Sequence, residues 1–348
     1  MQSIPHSRPV FDAPYQDAVK DIIATGKLAE GAETRALEFV ISSALHMPHV
    51  LAVDSGTSAL MLAIRALAQG QLNPRVGIPA YACASLLFAV KAAGAEPVFM
   101  DCNASFTLNA DQARDTAKTL DVLVLVHPFG LVEPLAAQTF PCPVIEDIAQ
   151  SVGATLHHQP VGSFADVCIG SHYATKPWGG AYGGFISSNN AALIETCESM
   201  INPDQASLQA YYVGHHQLSN VHAALANVRI SQAGEEQQQR RQWAGKYDVL
   251  FAGVDATPIK SCEDSVGNDF RYIIRSSQQA SAIIQQLREL GIGASRPVQH
   301  PLHHSNAPTI CPQANDAWQH GVSIPLLADM NGAEWALMQQ GIQSCFHS

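Results

Sequence analysis

Asp121-Val122-Leu123-Val124-Leu125-Val126-His127-Pro128-Phe129-Gly130 is an aliphatic run that stops at polar and turn-forming residues. No hydrophilic residue interrupts it after Asp121, so it reads as a strand buried on both faces, inside a sheet that helices cover. Pro143-Val144-Ile145 is a second, shorter run of the same kind, and it stops at Glu146-Asp147. Polar groups thus gather at the carboxyl ends of two strands, where open α/β sheets bind their ligands.

Outward from this pair, short apolar runs alternate with segments of helical period from Leu51 to Ile186, the pattern of an α/β fold. On the amino-terminal side, strands are expected at Arg75–Ile78 and Glu96–Met100, separated by a helical stretch around Leu86–Ala93 and the turn residue Gly94. Ahead of them, Asp54-Ser55-Gly56-Thr57 opens a helix in which Leu60, Ile64 and Leu67 recur at helical spacing and which Gly70 ends. On the carboxyl-terminal side, strands at Val167–Gly170 and Gly184–Ser187 bracket Ser171–Gly183, a polar, glycine-rich connection of the sort that carries function. A Gln-rich, helix-like stretch runs from about Ala223 to Phe251, and its Glu235–Gln242 patch reads as a solvated face. A smaller α/β portion follows, with elements at Phe270–Ile274 and Ala280–Leu290. The expected division is a large domain with an N-terminal arm over residues 1–222 and a smaller C-terminal domain over 223–348.

The 348 residues are 47% hydrophobic and only 14% charged, so the surface is lightly charged and suits partial cover by a partner subunit. A formal charge of −11 with no Lys/Arg-rich run argues against gripping a phosphate backbone, and nucleic acid is not an expected partner. Eight cysteines include no Cys-x-x-Cys pair, which fits small buried residues in a reducing cytosol better than a disulfide framework. Met1–Val10 lacks the apolar stretch of a signal peptide, and no segment is apolar for long enough to cross a bilayer, so the expected compartment is the cytoplasm. His300, His303 and His304 have a spacing that suits a metal, but Pro301 interrupts any helix there, and no metal is expected.

Lys176 stands in Ser171-His172-Tyr173-Ala174-Thr175-Lys176-Pro177-Trp178-Gly179-Gly180, just beyond a strand and before Gly183-Gly184. With Lys and Arg totalling only 19, a lysine inside an otherwise uncharged loop stands out. Asp147 ends the strand before it, and Gly56 and Thr57 begin a helix whose unpaired N–H groups and dipole favour an anion, with Ser171 as a further donor. Each feature alone has an ordinary explanation as a solvated lysine, a turn or a cap. Together they supply three of the things pyridoxal phosphate (PLP) asks of a protein: a lysine for its aldehyde carbon, a carboxylate for its pyridine nitrogen and a cradle for its phosphate.

The order and spacing of several stretches resemble the DegT/StrS-type nucleotide-sugar aminotransferases, a family of fold-type I PLP enzymes, over nearly the whole chain. The stretches are Val53-Asp54-Ser55-Gly56-Thr57-Ser58-Ala59-Leu60, Ile78-Pro79-Ala80-Tyr81, Gly94-Ala95-Glu96-Pro97-Val98-Phe99-Met100-Asp101, Ile145-Glu146-Asp147-Ile148-Ala149-Gln150-Ser151-Val152-Gly153-Ala154, Val161-Gly162-Ser163 and the segment from Ser171 to Lys176. The resemblance implies a mostly parallel seven-stranded sheet covered by helices plus a smaller C-terminal α/β domain. It implies Lys176 as the lysine that carries the cofactor, Asp147 at the pyridine nitrogen, Gln150 near the ring hydroxyl, and Gly56, Thr57 and Ser171 at the phosphate. It also implies a homodimer with the site at the interface, an amino donor such as glutamate and a keto-sugar nucleotide as acceptor. Two positions depart from the family pattern: Cys83 occupies the usual place of an aromatic ring-stacking residue, and Gly214-His215-His216-Gln217 replaces an Asn-Tyr-Arg-like segment, with His215 in place of the Asn. Arg296 and His300 are candidate acceptor contacts. A PLP-dependent sugar dehydrase, whose branch carries histidine in place of the lysine, and a PLP-binding regulatory protein without turnover are the alternative readings.

Overall fold

In the computed structural model, which describes residues 3–346 except 69, 205, 208–209 and 305–309, seven strands form the main sheet. They are β1 (His49–Val53), β2 (Arg75–Pro79), β3 (Glu96–Met100), β4 (Val122–Val126), β5 (Val144–Asp147), β8 (Val167–Ser171) and β9 (Gly184–Ser188), in the spatial order β1-β9-β8-β5-β4-β2-β3. All run parallel except β9, which pairs antiparallel with both neighbours. The two-residue β6 (Thr155–Leu156) and β7 (Gln159–Pro160) pair with β11 (Ser265–Val266) in a separate small sheet.

The aliphatic run is β4, and its period-two alternation explains its composition. Val122, Val124 and Val126 share a core with Ile145, Val167 and Ile169 beneath α3 (Gly56–Ala68), α4 (Ala84–Ala92) and α6 (Ala191–Glu198). Leu123 and Leu125 join a second core on the opposite face, with α2 (Ala32–Leu45), α5 (Ala110–Ala117) and the first turns of α7 (Asn220–Leu250). Burial on both faces is worth about 1.5–3 kcal/mol for each such side chain, so no position in β4 tolerates a polar residue cheaply.

The C-terminal portion packs an antiparallel sheet, β10 (Ala256–Pro258), β12 (Tyr272–Ser276) and β13 (Gly321–Ile324), against α8 (Ala280–Glu289), α9 (Pro312–His320) and α10 (Gly332–Phe346). Helix α7 contributes to both halves, with Ala223 and Ala226 in the large core and Ala244 and Tyr247 in the small one. The sequence-based division at 222/223 therefore falls at the start of a helix common to both. The N-terminal arm, preceding α1 (Ala13–Thr25), packs on the C-terminal portion: Ile4 is buried in its core and bridges Ile292, and Arg8 pairs with Asp329 and Glu334. The Gln-rich patch is exposed at Glu235, Gln238, Gln239 and Gln242 but not throughout. Arg240 is buried, and Glu236 bridges it to Arg229 at 3.2 and 2.5 Å, all three on α7.

All eight cysteines are unpaired, and only Cys83 is exposed. Among the described residues no helix is long and apolar enough to cross a membrane, and no group of three or more His, Cys, Asp or Glu residues is arranged to hold a metal ion.

Glu133 is fully buried, and its two oxygens accept the N–H groups of Leu108 and Leu135 at 2.8 and 3.2 Å. Burial pushes its pKa up from 4.5 to about 7. A folded-state pKa raised above the unfolded value contributes stability that is present below pH 4.5 and lost as pH rises through about 7. Stability is expected to fall by up to about 3 kcal/mol across that window, and Glu133→Gln should flatten the fall. Melting temperatures of both proteins between pH 4.5 and 7.5 test this, and parallel curves would refute it.

Candidate active site

The loop that carries Lys176 connects β8 to β9 and is tied to itself by backbone hydrogen bonds. His172 and Gly183 bond at 2.8 Å, Ala174 and Ala181 at 3.0 Å, and the Lys176 N–H donates to the Tyr173 carbonyl at 2.8 Å. Gly179 N–H returns to the Lys176 carbonyl at 2.8 Å, and a Cβ at Gly179 would lie 2.3 Å from the Tyr173 carbonyl oxygen, so this turn admits no side chain there. Trp178 is buried against Phe185, and His172 Nδ1–H donates to the Trp178 carbonyl at 2.8 Å. Burial holds the His172 ring neutral, with its pKa down at about 4. The Lys176 backbone is thereby held on both sides, at its N–H by Tyr173 and at its carbonyl by Gly179.

Asp147 is the last residue of β5 and follows Ile145 onto the face covered by α3 and α4. Its Oδ1 accepts the Ala149 N–H at 2.9 Å. Burial raises its pKa, opposed by that N–H and by the nearby charge of Lys176. Burial likewise lowers the pKa of Lys176, opposed by Asp147. A desolvated amine with a lowered pKa is a better nucleophile than an ordinary lysine, and a desolvated carboxylate is short of a cation. On the other face Glu146 accepts from His127 Nε2 at 2.8 Å; the assignment follows because His127 Nδ1 accepts the Glu133 N–H at 3.0 Å and leaves Nε2 protonated. Glu146 also accepts the Gly162 N–H at 2.6 Å, locking the strand end that presents Asp147.

Helix α3 begins where β1 ends. Ser55 accepts the N–H groups of Ser58 through Oγ (3.1 Å) and of Ala59 through its carbonyl (2.9 Å), whereas those of Gly56 and Thr57 precede any intrahelical acceptor and remain for an anion. A Cβ on Gly56 would lie 2.9 Å from that of Ser171, so glycine is what allows α3 to start against β8. Ser171 Oγ accepts the Tyr173 N–H at 3.2 Å and keeps its own proton to donate. Gln150 Oε1 accepts the Phe129 N–H at 2.8 Å, which leaves the Gln150 amide NH2 as its available donor.

These elements enclose a cavity of about 620 Å3. Eight of the ten residues singled out from the sequence line it: Gly56, Thr57, Cys83, Asp147, Gln150, Ser171, Lys176 and His300. His215 is exposed and does not line it. Arg296 turns away, its guanidinium stacked 4.0 Å from the Trp318 ring and donating to the Trp318 carbonyl, beside a separate surface pocket with Ser281 and Arg288. His6, Phe129, Phe270 and Arg271 are among the lining residues that the sequence reading did not single out. Phe129 was visible in the stretch that ends β4, and Phe270 and Arg271 stand beside an expected strand; nothing local marks His6, which arrives with the arm.

Residues 10–342 match the model of the DegT/DnrJ/EryC1/StrS aminotransferase family. The chain belongs to this family. Among curated DegT-type relatives, the UDP-N-acetyl-3-dehydro-alpha-D-glucosamine 3-aminotransferase of Acidithiobacillus ferrooxidans is 27% identical, covering 96% of this chain and 95% of the relative. The GDP-perosamine synthase of Vibrio cholerae is 24% identical, covering 92% and 93%. Among solved structures, the aminotransferase TlmJ from Streptoalloteichus hindustanus superposes with a TM-score of 0.91 at 21% identity over 99% of this chain and 98% of that one. Helicobacter pylori PseC, an aminotransferase involved in the biosynthesis of pseudoaminic acid, gives 0.86 at 19% identity over 99% and 100%. At these identities the structural likenesses speak for the fold, that of the fold-type I PLP enzymes.

Membership in the DegT-type family implies PLP, and the residues present fit that group. Asp147 is a buried carboxylate lacking a full counter-charge, which a protonated ring nitrogen supplies. The free N–H groups of Gly56 and Thr57 and the Ser171 hydroxyl fit a phosphate, and the Gln150 amide has its NH2 free to donate to a ring oxygen.

Proposed function

We propose that this chain is a PLP-dependent aminotransferase that takes an amino group from an amino acid such as glutamate and gives it to a keto-sugar nucleotide. The observation that carries the reading is the common opening of Lys176, Asp147 and the α3 amino terminus into one cavity. The names of the curated relatives, which act on nucleotide sugars, support the acceptor class. PLP, when bound, supplies an electron sink for the carbon that bears the transferred nitrogen.

Around it, burial lowers the Lys176 pKa and favours an amine that would bond the cofactor, be displaced by the donor, and then carry the proton to and from substrate carbon. Asp147 keeps the ring nitrogen protonated, Gln150 donates to the ring oxygen, and Gly56, Thr57 and Ser171 hold the phosphate. Cys83 lies at the aromatic position of the family pattern, so its sulfur takes the ring-facing role. His300, at the cavity wall, contacts the acceptor. Arg296 serves the acceptor only if the loop carrying it turns inward.

The active form is a homodimer in the cytoplasm, with His215 reaching the neighbouring subunit's site. Its exposure, and exposed aromatic side chains such as Phe39 and Tyr211, suit an interface. The presence of Lys176 speaks against the dehydrase reading. A regulatory protein that binds PLP without turnover is distinguished by experiment. Purified protein with PLP should show the visible band of the lysine-bound cofactor, glutamate should convert it to the amine form, and a keto-sugar nucleotide should restore it. A band that glutamate bleaches but no keto-sugar restores overturns the acceptor class; a band unmoved by any amino donor favours the regulatory reading.

A further inference from the structure

The cavity contains one permanent positive charge that the reading above leaves unused. Arg271 stands just before β12, half-buried, and among the described residues is the only arginine lining the cavity. Its Nη1 donates to the His6 carbonyl at 3.0 Å and its Nη2 to Ser7 Oγ at 2.7 Å, both on the N-terminal arm. The guanidinium lies 4.2 Å from the centroid of the Phe270 ring, and Lys176 Nζ lies 5.8 Å from the same centroid, so the two cations are no farther apart than those distances combined.

Among the described residues no carboxylate forms an ion pair with Arg271. Its two anchors are neutral, and the guanidinium has five N–H groups to place. A cation drawn out of water without a counter-ion is costly unless an anion arrives. Burial, with the positive charge of Arg240 behind it, accordingly brings its pKa down to about 10. Lys176 cannot receive the anion, because its nitrogen is committed to the cofactor. The phosphate has its own cradle at α3. What remains is an anionic group of a substrate that brings its nitrogen to the place of the Lys176 amine.

We propose that Arg271 binds a carboxylate of the amino donor, and that residues 6 and 7 of the arm hold it in position to do so; this rests on the aminotransferase reading. An α-amino acid carries its carboxylate one carbon from its nitrogen, and Lys176 and Arg271 both stand against the Phe270 ring in one cavity, so one small molecule can meet both. The planar guanidinium offers a carboxylate two parallel donors where an ammonium offers a point. The arm thus belongs to the site through Arg271, although it packs on the C-terminal portion.

The test is spectroscopic, using PLP-loaded wild type, Arg271→Gln and Arg271→Lys titrated with glutamate and, separately, with propylamine, which has no carboxylate. Loss of a charged hydrogen-bond pair should raise the half-saturating glutamate concentration of Arg271→Gln on the order of 10–100-fold. Arg271→Lys should give a smaller rise, while PLP affinity, the initial visible band and the propylamine titration stay as in wild type. Arg271→Lys alone decides the matter if Arg271→Gln does not fold. Glutamate titrations that match wild type overturn the proposal, as does an equal loss with propylamine, which would place Arg271 in the bond-making step itself. A defect confined to restoration by the keto-sugar nucleotide also overturns it and assigns the charge to the acceptor's diphosphate. Wild type that forms no visible band with PLP is a different failure, since it removes the aminotransferase reading and this inference with it.

Discussion

Lys176→Ala is expected to lose the visible band of the lysine-bound cofactor and to lower turnover by at least about ten-thousand-fold, the combined contribution of covalent and proton-transfer catalysis from one group. Among the described residues Lys176 is the only lysine that lines the cavity, so no neighbouring amine inherits its role. Burial keeps its pKa low, and the nearby Asp147 limits that lowering, so the amine that is lost was tuned as well as placed. The fold should survive the change. The loop is held by backbone bonds between Lys176 and Tyr173 and between Gly179 and Lys176, none of which needs the side chain. Stability should change by no more than about 1–2 kcal/mol, because removing a buried cation is stabilising while Asp147 loses the nearby positive charge that offsets its burial. Added methylamine, a free amine of the right reactivity, should restore part of the rate. Turnover within tenfold of wild type would remove Lys176 from the mechanism.

The parts of this site that were legible in the sequence lie at the ends of strands buried on both faces. There, apolar runs end abruptly, as β4 does at His127 and β5 at Glu146-Asp147, and the change of composition marks the place. Gly56, Thr57 and Lys176 were legible because a helix start and a polar loop each follow directly from such a strand. The main-sheet strands from β2 to β9 were read nearly to their observed limits for the same reason. β10 (Ala256-Thr257-Pro258) and β13 (Gly321-Val322-Ser323-Ile324) were harder, because neither carries an unbroken aliphatic run and both pair only within the small sheet. Helices α1 and α2 are amphipathic surface elements with no N-terminal side-chain cap to announce them.

What was not legible depends on contacts between distant segments. Arg271 becomes notable only because His6 and Ser7, more than 260 residues away, meet it. Arg296 is adjacent in sequence to the cavity-lining Pro297 and Val298, yet its side chain found a better partner in the Trp318 ring. Sequence position placed the backbone correctly there and the charge incorrectly, since a long side chain chooses among several neighbours within its reach.

Asp147→Asn is expected to separate two roles that one carboxylate performs. In cofactor-free protein the ionised group is a liability: burial raises its folded-state pKa above the ordinary carboxylate value, so its contribution favours the fold at low pH and is lost as pH rises through that raised value. Cofactor-free Asp147→Asn should therefore melt at or above wild type at pH 8, and the difference should shrink as the pH is lowered toward 4. The amide retains an oxygen to accept the Ala149 N–H, so the strand end keeps its hydrogen bond. With PLP bound the order should reverse. A protonated ring nitrogen gives the carboxylate the counter-charge it lacks, and pairing within a buried site favours the ionised form of both groups. Wild type should then gain more in melting temperature from PLP than the variant does, and the variant's turnover should fall on the order of a hundred- to ten-thousand-fold because the ring loses the proton that makes it an electron sink. The reversal is the informative result, because a merely structural aspartate would move both melting curves the same way. Equal gains from PLP in the two proteins, or turnover in the variant within a few-fold of wild type, would place the ring nitrogen against some other group.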